Sequence, residues 1–243
     1  MLTRCISVEL MKLRRSRIWL ILMILPIISV LIGSVNFYLN QGVLKYEWYS
    51  LWSQVSLFYG EFFLPILIAI CCGYMWRLEH FNKNWNMIMA APISAVWIFL
   101  SKLMVAGLLL IFVQGLLFLL YFLGGTLMGL SSKLPRELPG WLLRGWIAAI
   151  TISALQLALS MRIRSYATTV GIGLCASFIG LGMYIANLGL FFPHSMMVVG
   201  MGVISQKSIS PGDMIIFFIM NIIYIVAIST FAIRWIKKSD VIA

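Results

Sequence analysis

"YGEFFLPILIAICCGYMWRLEHFNKNWNMIMAAPIS", residues 59–94, decides how the chain is read. Its first half is apolar apart from Glu61. Its second half turns polar, gathering Asn82, Asn84, Asn86, Lys83 and His80 between Glu79 and Pro92. Phe81, Trp85, Met87, Ile88 and Met89 nevertheless persist there. From Phe99 the chain is apolar again. A polar cassette studded with aromatics, set between two runs long enough to cross a bilayer, points to spanning helices joined by an ordered connection.

The rest of the chain fits that reading. It is 62% hydrophobic and 10% charged over 243 residues, with a mean hydropathy of +1.02. A soluble domain carries about 25% charged residues. Lipid offers no partner to backbone N–H and C=O groups, so each span must be helical, and the alternating segments of a barrel are absent. The fold class expected is an all-α integral membrane protein with six transmembrane helices at about 18–39, 57–77, 99–123, 141–161, 166–187 and 213–235. The whole of 1–243 reads as one transmembrane domain.

Six crossings return both termini to one side. Thirteen basic residues sit on that side, among them Arg4, Lys12, Arg14, Arg15, Arg17, Arg77, Lys83, Lys102, Arg162 and Arg164, against five on the other. The positive-inside rule therefore predicts both termini in the cytoplasm of a multi-pass plasma-membrane protein. The net charge of +11 follows from topology and from attraction to anionic lipid, not from nucleic acid. Residues 1–16 form an amphipathic interfacial helix in which Leu2, Ile6, Leu10 and Leu13 share one face. In the last outer loop, 188–212, the apolar stretch 196–204 is too short to span. It reads as a re-entrant or interfacial helix if other protein covers its backbone, or else as a misjudged seventh element.

Enzyme chemistry has little to work with. Seven carboxylates and two histidines make up the acid, base and ligand inventory. No zinc-binding, nucleophile-elbow or phosphate-binding motif appears, so catalytic, cofactor and metal sites are all expected to be absent. The glycines of 171–189 suit close helix packing, at the pairs Ala176/Gly180 and Gly182/Ala186. Glu61 lies early in the second span, at a depth similar to Arg144, where an ion pair would fit. Gln114, Gln156 and Asn221 suit interhelical hydrogen bonds. A transporter without a coupling carboxylate or an ATP site needs a partner that supplies energy. Within the cassette, Phe81, Trp85 and Ile88 recur on one helix face; Pro92 ends that helix and Ser94 caps the next. It either lies on lipid or docks a cytoplasmic motor.

A basic amphipathic N-terminal helix ("SVELMKLRRS", 7–16), six spans, a cytoplasmic helix after the second span, a short turn between the fourth and fifth, and an interrupted last outer loop occur here in one order. That order resembles the permease subunit of an ABC-2 type exporter. Residues 59–94 look more narrowly like the lantibiotic-immunity permeases of the nisin, subtilin and mutacin group. The resemblance implies a subunit without enzymatic activity that pairs with a second related permease, or a second copy of itself, above a dimer of cytoplasmic ABC ATPases. Those ATPases would bind ATP and Mg, and the complex would expel a cationic antimicrobial peptide to give self-immunity. Residues 79–91, with Glu79, Phe81, Lys83, Trp85 and Ile88, would be the main coupling helix. The turn holding Arg162 and Arg164 would be a second contact. An outer lip of Glu47, Trp48, Trp52, Tyr59 and Glu61 is the candidate substrate contact, although such aromatics equally form a membrane belt. The alternative is a channel or scaffold subunit without ATP input.

Overall fold

A computed structural model describes residues 1–80, 93–131, 133–163, 165–206 and 209–238, and within them every regular element is helical. The helices are α1 (Leu2–Arg14), α2 (Ile18–Leu39), α3 (Glu47–Ser56), α4 (Leu64–His80), α5 (Ala95–Leu127), α6 (Leu138–Arg162), α7 (Tyr166–Ile185), α8 (Pro193–Gly200) and α9 (Pro211–Lys238). Six helices among the described residues are long and apolar enough to cross a membrane: α2, the joined α3–α4, α5, α6, α7 and α9.

The second span differs most from its expectation. It runs without a break from Glu47 to His80, 34 residues, or about 50 Å at 1.5 Å per residue. The extra turns were hidden because Glu47, Ser50, Ser53, Gln54 and Ser56 read as loop, whereas packing against α2 makes them helical. Mid-span, Leu57–Phe63 winds as a π-turn. Pro65 follows it closely; lacking an N–H, and with its ring crowding the carbonyl four residues back, it disfavours a regular α register at Glu61. At its far end α4 takes in Glu79 and His80. The helix expected over 79–91 therefore does not begin at Glu79, and its remainder lies outside the described residues.

Burial sets the architecture. The apolar window of α3–α4 is 67% buried, whereas those of α7 and α9 are 22% and 17% buried; α3–α4 is the central strut, and α9 packs at the periphery on α6 and α5. α4 packs chiefly on α6 and α7, and α1 lies across α5. The 196–204 stretch resolves into α8, eight residues long and too short to cross. His194 to Val198 and Gly200 to Val203 are all buried, so protein covers its backbone as a re-entrant element requires. α8 approaches α7 closely at Gly180, where a Cβ would come within 2.8 Å of His194 Cβ.

The chain leaves α5, α7 and α8 by one device. Gly129, Asn187 and Gly202 each take positive φ, and the residue after each donates its N–H five residues back: Leu130 to Gly125, Leu188 to Met183, Val203 to Val198. This is the Schellman termination, which recruits Gly or Asn because the left-handed region penalises other side chains. Gly202 is doubly constrained, since a Cβ there would also lie 2.6 Å from the Trp141 indole nitrogen. Ser94, Ser165 and Ser210 cap the starts of α5, α7 and α9 through their hydroxyls.

Candidate functional site

The site is built where α1, the end of α4 and the start of α5 meet, on the face that carries both termini. Glu9 falls on the same arc of α1 as Leu2, Ile6 and Leu13, so the packing that buries Leu13 also buries a carboxylate. Glu79 projects inward from the last turn of α4, 1% exposed. Lys102, two turns into α5, has no exposed surface.

These groups close a ring. Lys12 Nζ lies 2.8 Å from Glu9 Oε1 and 2.6 Å from Glu79 Oε1; Lys102 Nζ lies 2.8 Å from Glu9 Oε2 and 2.6 Å from Glu79 Oε1. Lys102 also donates to the Met75 carbonyl at 3.4 Å and stands 5.2 Å above the Trp76 ring. The four charges cancel. That balance is what makes burial tolerable, because an unpaired ion there would carry a desolvation penalty of several kcal/mol. Burial alone would lower the Lys12 pKa, but the Glu9 and Glu79 carboxylates outweigh it and hold the ammonium above the usual lysine value.

Position gives the ring its meaning. In chain order residues 81–92 join α4 to α5, and the ring ties those two helices together near the ends that flank that segment, with α1 bound in as a third member. Two further cation–ring contacts lie on the same face. The Arg77 guanidinium sits 5.9 Å from the Tyr166 ring, linking α4 to α7, and Arg162 sits 4.9 Å from the Trp235 ring, linking α6 to α9.

Of the coupling candidates, Glu79 and Arg162 are thus placed, Glu79 as a buried ring member and Arg162 as an exposed residue stacked on Trp235. Phe81, Lys83, Trp85, Ile88 and Arg164 lie outside the described residues. In the sequence alone Lys12 and Lys102 read as topology signals, and Glu9 as one more charge in a flank. The signals that would have found the ring are an acid inside the apolar arc of α1, spaced i, i+3 from a lysine, and a lysine already inside the third span.

Of the lip candidates, Trp48 and Trp52 meet through Tyr121, each in an edge-to-face ring contact with it. Trp48, Trp52, Tyr59 and Glu61 are each 2% exposed or less, so they line neither a lip nor a lipid-facing belt in this conformation; Glu47 alone of the five is at the surface. Trp52 stacks on Trp141 at 5.3 Å between centroids and donates its indole N–H to the Met201 carbonyl. Trp48 donates to the Ser131 carbonyl, and Tyr121 donates to the Trp48 carbonyl. These bonds tie α3 to α5 and to the α8 turn, and they let Trp48, Trp52 and Tyr121 face inward, since the N–H or O–H of each finds a carbonyl there. Glu61 sits in the π-turn, and its Oε1 has no hydrogen-bond partner among the described residues. It makes no ion pair with Arg144, whose Nε donates to the Gly200 carbonyl instead. Of the interhelical glues, Asn221 accepts from Thr151 at 2.5 Å and Gln114 accepts from Tyr59 at 3.4 Å. Gln156 has no side-chain partner among the described residues.

The sequence pattern of the ABC-2 family transporter proteins matches residues 5–180, well over half of the chain. The chain belongs to the ABC-2 transporter family. That family supplies the membrane permease of an ABC transporter and works with an ABC ATPase carried on another subunit or domain. The ring, the α4 and α5 roots, the first four spans and most of the fifth fall within the matched stretch. Among curated proteins, none matches the chain.

Proposed function

We propose that this ABC-2 permease exports a cationic antimicrobial peptide from the cell membrane and so protects the cell that carries it. Both termini and the 81–92 segment face the cytoplasm. α1 rests on the anionic inner leaflet through Arg4, Arg14 and Arg15, all exposed on the helix side away from Glu9 and Leu13. A dimer of ABC ATPases, holding ATP and its Mg, docks beneath residues 79–91 and the 162–165 turn. A second permease, related or identical, completes the pore. The observation that carries this reading is the ionic ring at the two roots of residues 81–92: a motor moves spans only through a rigid joint, and the joint lies where the motor would push. The lantibiotic assignment rests on the resemblance of residues 59–94.

The test is gentle affinity purification of the tagged chain from its native membrane. A P-loop ATPase and a second permease should co-purify. Trp85→Asp should remove the ATPase while the chain still inserts. Recovery of the chain alone, under conditions that keep other membrane complexes intact, would favour a channel or scaffold subunit.

A further inference from the structure

On the face opposite the termini, a cavity of about 600 Å³ opens between the end of α7, the re-entrant α8 and the start of α9. That volume lies within the range of ligand sites, roughly 300–1,000 Å³. α7 and α9 are the two least buried spans, so the cavity adjoins surface that lipid would cover. Its lining includes the apolar Ile185, Phe191, Val199 and Ile209. It also includes Asp213, an exposed carboxylate in the first turn of α9. Its Oδ2 accepts from Ser210 Oγ at 2.8 Å, and its backbone N–H donates to the same oxygen at 3.1 Å, so the side chain is held in place. None of the ion pairs among the described residues involves it.

We propose that this cavity is the receiving site for a cationic amphipathic peptide, with Asp213 pairing a lysine or arginine of the ligand and the Ile185–Phe191–Val199–Ile209 wall taking its apolar side chains. The inference rests on the peptide-export reading and moves substrate contact away from the buried aromatic cluster. An acid beside a hydrophobic wall selects for charge and shape together: it repels an anionic headgroup, and the wall gives a small hydrated cation nothing to bury against.

The experiment uses the whole transporter, with its ATPase and partner permease, in nanodiscs. Binding of a fluorescent lysine–leucine amphipathic peptide is followed by anisotropy. Asp213→Asn should weaken binding about three- to tenfold, the size of one partly exposed charge pair, and flatten its salt dependence. Asp213→Glu should restore most of it. Val199→Trp, which fills the cavity, should abolish it. Because Asp213 is exposed, unchanged ATPase co-purification checks that D213N leaves the assembly intact. Equal binding by wild type, D213N and V199W would overturn this site while leaving peptide export standing. No binding by an intact wild-type complex would overturn both. Cross-linking of Asp213→Cys to the second permease would make the cavity a subunit interface and overturn the site.

Discussion

Lys102 is an ammonium with no exposed surface, held by two carboxylates, a carbonyl and an indole face. Lys102→Met would leave Glu9 and Glu79 sharing Lys12 alone, and breaking such a buried set costs about 3–5 kcal/mol. Thermal unfolding in detergent should show that loss. Glu79→Gln combined with Lys102→Met should cost less than the sum of the two single changes, since each removes the other's uncompensated partner. Lys102→Arg is not a neutral swap, because a planar fork cannot replace a point charge wedged above Trp76. His194 makes a different case. It is 3% exposed, and burial pushes its pKa down to about 4. An unfolded histidine titrates near 6.5, so the unfolded state binds the extra proton between those values. The contribution of His194 is therefore fully present above about pH 6.5 and is lost as pH falls toward 4, by up to about 3 kcal/mol. His194→Gln should flatten the stability profile in that window, and an unaltered profile would remove His194 as its cause.

Among elements, α8 shows how a short helix is fixed. Its last turn closes at Gly202, where positive φ and the Trp141 indole both exclude a side chain. Gly202→Val should destabilise the fold by more than the ~1 kcal/mol of an ordinary glycine replacement. It should also disturb Trp52, which donates to the neighbouring Met201 carbonyl, and tryptophan fluorescence would report that change. Most element identities were legible from the sequence, because a run such as 99–123 has no other stable solution in lipid. The start of α3 was not. Its serines and Gln54 look like loop until α2 packs on them, and tertiary burial overrides local polarity. The ring is half legible: Glu79 stands out by its place beside the cassette, but its lysine partners are indistinguishable in sequence from the basic residues that mark topology. The inward turn of Trp48 and Trp52 could not be read, because an aromatic at a span end is expected at the interface unless a carbonyl elsewhere claims its N–H.

At the scale of the molecule, the two faces are fastened differently. The terminal face is held by charge and by cations on rings; the opposite face is held by indole and phenol hydrogen bonds to carbonyls. Replacing Arg4, Arg14 and Arg15 by Gln should weaken the protein's enrichment of anionic over neutral lipid in mixed nanodiscs by roughly 1 kcal/mol per charge, read from the lipid that co-purifies. Loss of ATPase contact in that variant would instead assign α1 to the motor. The ring also imposes an order on synthesis. Glu9 and Lys12 emerge first and pair with each other, yet Glu79 lies 67 residues beyond Lys12 and Lys102 lies 93 beyond Glu9. At about 5–20 residues per second the nascent helix waits several seconds or more for its last partner. Until the third span enters the bilayer, α1 has no settled seat, and a chain stalled before Lys102 presents the insertion machinery with two acids and one base.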